Sequence, residues 1–162
     1  MGEQRSQGPD SLCSYSPDIS AEELMRQLAP PPEFEQATFD SYRPDSRFPS
    51  QEAALKAAKQ FATGASGRMF SRGEIPPGVY LDGGFGVGKT HLLASIWHQF
   101  KGRKAFGTFL EYTSIVGFLG FQEAVRRLGE FALICIDEFE LDDPGDTMIL
   151  SRLLKELSAK DV

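Results

Sequence analysis

Apolar residues recur along this chain in two rhythms. At helical spacing, Ala53, Ala54, Leu55, Ala57, Ala58, Phe61 and Ala62 form a broad face. Ser50 would cap that helix, which is expected to run through Phe61 with Gly64 ending it. Leu92, Leu93, Ile96 and Trp97 give a second stripe, on a helix opening near Gly88. A third helix is predicted over residues 114–128, weakened by Gly117 and Gly120. Asp143 and Pro144 signal a fourth, with Ile149, Leu150, Leu153, Leu154 and Leu157 three or four residues apart. Three apolar runs between these are too short for helices: residues 79–81, 106–110 and 131–136. They read as strands, and strands alternating with helices predict a parallel sheet covered on both faces.

Upstream the pattern is sparser. Residues 1–18 are polar and rich in Ser, Gly and Pro, the composition of a disordered leader. Ser20 with Glu23 makes a capping-box pattern for a short helix ending before Pro30. Its stripe of Leu24, Met25 and Leu28 is expected to pack on its own domain. Phe34, Phe39, Tyr42 and Phe48, set among prolines and charges, suggest an extended arm laid on a folded body. Residues 64–77 would form a loop into the first strand. The expected organisation is a leader with a short helix over 1–33, an arm and helix over 34–77, and a core over 78–162.

Composition narrows the function classes. With 162 residues, 41% hydrophobic and 25% charged, the chain suits one soluble domain with a real core. A net charge of −6 disfavours general nucleic-acid binding. The two cysteines, Cys13 and Cys135, suggest neither a disulfide framework nor a metal cluster, so a cytoplasmic setting is expected. No apolar run approaches the roughly 18 residues of a membrane span, and the start lacks the apolar core of a signal peptide.

The chemistry concentrates after the first strand. Residues 83–90, Gly83, Gly84, Phe85, Gly86, Val87, Gly88, Lys89 and Thr90, fit G-x-x-x-x-G-K-[ST] at every fixed position. Glycines let such a loop wrap a polyphosphate with its N–H groups pointing inward. The next helix adds the positive end of its dipole. Lys89 would reach the terminal phosphates, Thr90 would hold Mg²⁺, and His91 closes the candidate nucleotide-binding set. A glycine-rich turn without function is the bland alternative. The flanking strand and apolar helix weigh against it.

A second anchor follows the 131–136 run, which delivers Asp137 and Glu138 at its carboxyl end. Ligands bind there in open α/β sheets. Asp137 is the expected second partner of the Mg²⁺ held by Thr90. Glu138 would orient or deprotonate an attacking water. Switch-type GTPases place a glycine three residues after the metal-binding acid; Glu140 stands there, which favours ATP. Read alone, the two acids could be solvated caps on a buried strand. His91 and His98 form no ligand pattern, Arg126 and Arg127 suit a helix end, and Cys135 suits inert packing. The basic turn of Lys101, Gly102, Arg103 and Lys104 reads as solvated.

With these residues in place, the sequence resembles the AAA-like ATPases of the ZapE family, bacterial relatives of the mitochondrial Afg/LACE-type ATPases. The likeness is carried by Ser41, Tyr42, Arg43, Pro44 and Asp45 with Pro49, Ser50 and Gln51; by residues 83–90; by Phe109, Leu110, Glu111 and Tyr112; and by Asp137, Glu138 and Phe139 leading into residues 146–150. It implies a P-loop ATPase using ATP and Mg²⁺, recruited to the division site to act on FtsZ or another division-ring protein. An ATP-dependent homo-oligomer is compatible with it. A helicase-loader or initiator-type ATPase acting on nucleic acid, and a non-catalytic nucleotide-binding scaffold, are the rival readings. Family members continue with a fourth strand lying between the first and third, then a sensor, an arginine finger and a lid. This chain ends at Val162, where that strand should begin, so it is expected to be truncated before strand 4 and to hydrolyse ATP feebly alone. Residues 79–81 and 133–136 would then lack the strand between them. The arm over residues 42–48 is the expected contact for the base.

Overall fold

The computed structural model describes residues 20–67, 78–139 and 144–162. The expected leader before Ser20, most of the 64–77 loop, Cys13, Glu140 and Asp143 lie outside the described residues. The described elements are α1 (Ala21–Arg26), a 3-10 turn (Pro32–Phe34), α2 (Pro49–Gly67), α3 (Lys89–Gln99), β1 (Lys104–Thr108), α4 (Phe109–Leu119), α5 (Phe121–Leu128), β2 (Leu133–Asp137) and α6 (Pro144–Ser158).

The sheet consists of β1 and β2, paired in parallel with Phe106 opposite Cys135 and Thr108 opposite Asp137. Side chains alternate across it as the pleat requires. Phe106, Leu133 and Cys135 join one apolar cluster with Ala58 and Ala62 of α2 and Leu92 and Ile96 of α3. Ala105 joins the other, with Tyr112, Leu128, Leu150 and Leu153 of α4, α5 and α6; Ile134 and Ile136 pack against it. Both faces are therefore covered, and the chain is the expected α/β fold of the P-loop NTPase kind.

Local chemistry explains where the elements begin. Ser20 Oγ accepts from the Glu23 N–H at 3.2 Å, opening α1 as their spacing predicts. Leu28, just beyond α1, is buried, so the stripe does pack on its own body. The Leu28 carbonyl also accepts from Phe106 N–H at 3.0 Å, occupying one position on the outer edge of β1. Glu22 pairs with Arg127 at 2.6 Å and fixes α1 against α5. In the arm, Ala37, Phe39 and Tyr42 are buried while Phe48 is exposed.

Five expectations are corrected. Pro49, rather than Ser50, starts α2, because its fixed φ and missing N–H suit the first turn. That helix passes through Gly64 and extends to Gly67. A mid-helix glycine costs only about 1 kcal/mol, and the buried Ala58 and Ala62 anchor the preceding turns. β1 starts two residues early and stops at Thr108, where a capping box with Glu111 turns the chain into α4. The single helix expected over 114–128 is two, broken at Gly120, whose φ of 79° and ψ of 153° only glycine adopts readily. Finally, residues 79–81 join no ladder. Val79 and Leu81 rest on the α2–α3 cluster and Tyr80 faces solvent, so the period-two pattern persists without a neighbouring strand.

Candidate functional site

The glycine loop of residues 83–90 owes its shape to backbone that other residues avoid. Gly83, Gly86 and Gly88 have φ of 150°, 71° and 86°. Gly88 sits in left-handed conformation as the N-cap of α3 and makes no side-chain capping bond. The first N–H groups of α3 therefore remain for an anion. The surroundings of Gly84 and Gly86 are open, and Phe85 at the tip is fully exposed. Lys89 turns back on the loop, its Nζ donating to the Gly83 and Gly84 carbonyls at 2.8 Å each. Asp82 Oδ1 accepts the Gly83 N–H at 2.8 Å.

The arm supports this loop from behind. Tyr42 donates its hydroxyl to the Val87 carbonyl at 2.8 Å, and burial pushes its phenol pKa up, which keeps the donor protonated. A Cβ on Gly88 would meet Tyr42 Cε2 at 2.6 Å, so ring and loop fit only with glycine there. His91 donates from Nε2 to the Thr38 carbonyl at 2.9 Å and lies 3.0 Å from the Ser41 hydroxyl. His98 donates to the Phe34 carbonyl at 2.9 Å. Both histidines thus tie α3 to the arm, the His91 ring lying against Thr38 and Ser41. Between arm, α2 and loop lies a cavity of about 280 Å³, lined by Tyr42, Phe48, Gln51, Leu81, Asp82 and Lys89 among others.

Asp137 is half-buried at the carboxyl end of β2, opposite Thr108. Glu138 follows, exposed and at a φ of 49°, which turns the chain sharply off the sheet. Phe139 then meets Phe109 edge-on at 5.7 Å and Tyr80 at 6.3 Å. The Tyr80–Phe139 contact joins the segment entering the loop to the segment leaving the acids. Among the described residues, Lys89 bonds to the loop's own carbonyls and to neither acid.

Among the described residues no group of three or more His, Cys, Asp or Glu could hold a metal. Mg²⁺ takes few protein oxygens and keeps waters. The Thr90 hydroxyl and the Asp137 carboxylate are donors of that kind. The discounted residues have structural partners. Arg103 pairs with Glu130 at 3.0 Å, and Arg126 and Arg127 pair with Glu123 at 2.6 and 2.8 Å. Cys135 is buried, and burial pushes its thiol up to about 12.

Sequence reasoning missed Asp82 and the wall formed by Ser50, Gln51 and Ala54. For Ser50 and Gln51 the signal is the Pro49, Ser50, Gln51 stretch, which in sequence carries family likeness and a helix cap only. No described helix is long and apolar enough to cross a membrane. Searches of curated proteins and of solved structures find no match to this chain. A glycine loop opening a helix, beside a parallel sheet that ends in paired acids, suits a nucleotide-binding fold. In agreement, the family model described as AFG1-like ATPase matches residues 19–162, and the chain belongs to that family of ATPases.

Proposed function

We propose that the chain binds Mg²⁺·ATP over residues 83–90 and directs water onto its γ-phosphate. The observation that carries this is the backbone of the loop: three positive-φ glycines leading into the uncapped start of α3. The N–H groups of Gly84, Phe85, Gly86, Val87 and Gly88 cradle the phosphates. Lys89 leaves the Gly83 and Gly84 carbonyls to neutralise charge on the terminal phosphates. Thr90 and Asp137 would hold Mg²⁺, which would supply charge neutralisation at the phosphates. Glu138 orients the attacking water and accepts its proton. The base enters the cavity between arm and loop, with Phe48 at its rim. In this reading residues 1–33 are a leader, 34–77 carry the base-binding arm and 78–162 form the catalytic core.

Hydrolysis would drive a conformational change on a protein partner in the cytoplasm. FtsZ or another division-ring protein is the proposed partner, supported by the likeness to the ZapE group, with ATP-dependent self-association as the assembly mode. A nucleic-acid partner is disfavoured by the net charge of −6. The basic residues 103, 126 and 127 are also spent in ion pairs.

The test is calorimetric titration of the full chain with ATP in Mg²⁺, beside K89A. Micromolar binding that the variant loses supports the proposal; equal binding by both proteins ends it. Co-sedimentation with FtsZ polymers, with and without ATP, tests the partner separately.

A further inference from the structure

The polar side chains lining the cavity are those of Tyr42, Ser50, Gln51, Asp82 and Lys89; the Ser50 hydroxyl can donate or accept and so favours neither base, and three of the others are engaged. The Tyr42 hydroxyl is given to Val87, Asp82 accepts from Gly83, and Lys89 lies on two loop carbonyls. Gln51 is different. Its Oε1 accepts the backbone N–H of Asp45 at 2.8 Å. A backbone N–H can only donate, so this bond fixes which end of the amide is oxygen. Gln51 also lines the cavity, and the end of its amide that the Asp45 bond leaves over is the Nε2 amino group, with two hydrogens to donate. Its position is set by the arm on one side and by the first turn of α2 on the other.

We infer that Gln51 reads the base of the nucleotide, its Nε2 donating to N1 or N3 of adenine. This rests on the nucleotide reading above and names the residue that gives it specificity. Adenine and guanine share an unprotonated N7, so only adenine's unprotonated N1 and N3 can tell the two bases apart. Guanine carries a hydrogen on N1 and an amino group beside N3, and on those edges it meets a donor with a donor. A site built to hydrogen-bond one base rejects the other because its own polar group would be left unpaired. The Asp45 bond lets an arm residue hold the amide in place before ligand arrives, so little rotamer freedom is lost on binding.

The experiment compares ATP and GTP affinities, with Mg²⁺, for the full wild-type chain and for Gln51→Glu. Glutamate keeps an oxygen for the Asp45 N–H but replaces the donor with an acceptor. The ATP-over-GTP preference should fall about ten-fold or more, with the melting temperature little changed. ATP binding that persists in the variant with an unchanged ratio overturns the inference and leaves Gln51 as an anchor for the arm. Wild type that binds both nucleotides equally overturns it as well. Wild type that binds neither removes the nucleotide reading and the inference with it. Should the variant not fold, 1-deaza- and 3-deaza-ATP titrated into wild type decide the matter. One of the two should bind about ten-fold more weakly than ATP; two affinities equal to that of ATP overturn the proposal.

Discussion

The hydroxyl of Tyr42 donates to the carbonyl of Val87 at 2.8 Å across a sequence gap of 45 residues. That bond ties the arm to the loop two residues before Lys89. Tyr42→Phe deletes it while keeping the ring beside Gly88. The expected cost is about 1 kcal/mol, read as a lower urea midpoint with unchanged slope, together with weaker ATP binding. Tyr42→Ala also empties a buried site and should cost about 3–5 kcal/mol.

Gly88 is constrained twice, by its φ of 86° and by the Tyr42 ring. Gly88→Ala should destabilise the chain by about 1–3 kcal/mol and abolish ATP binding. In the double variant with Tyr42→Ala the steric conflict disappears but the backbone strain stays. ATP binding restored by the second substitution would show that strain plays no part.

Lys89 and Glu138 should separate binding from chemistry. Lys89→Ala removes bonds to two exposed carbonyls, so the melting temperature should hardly move while ATP affinity falls at least a hundred-fold. Glu138→Gln should bind ATP as wild type does and lose turnover by about 10²–10⁴. An unchanged kcat in an actively hydrolysing preparation removes Glu138 from its role.

Acid should loosen the α5 surface first. Arg126 and Arg127 hold the Glu123 carboxyl down at about 2, and Arg127 lowers Glu22 in the same way. A carboxylate with a depressed folded pKa stabilises the fold above its unfolded value of about 4.5 and loses that contribution as pH falls toward 2. The melting temperature should therefore decline between those limits, and Glu123→Gln should flatten the decline. An identical pH profile for the variant would show the ion pairs to be energetically silent.

Gly120 marks the break between α4 and α5. Gly120→Ala forces a side chain into a conformation that costs about 1–3 kcal/mol. The measurable result is a lower melting temperature without change in ATP affinity.

The glycine loop, the acids ending β2 and the covered sheet were legible because each follows from residue type and spacing within one element. Helix boundaries were less so. Thr108 with Glu111 spells a capping box as plainly as Ser20 with Glu23 does, but the apolar Phe109 and Leu110 beside it read as strand. Residues 79–81 show the limit of pattern. Alternation specifies which side chains point inward, whereas a ladder also needs a second backbone, which no local sequence contains. The seating of the arm was invisible for a similar reason: His91 with Thr38, His98 with Phe34 and Gln51 with Asp45 are pairings that only the folded chain creates.

The bond from Phe106 to Leu28 gives the sheet a direction. With one position of the β1 flank taken by the chain's own N-terminal portion, the two edges of the pair are unlike: β1 is partly occupied, while β2 is the strand that ends in Asp137. A strand added along β2 would therefore lie next to the backbone that carries that acid.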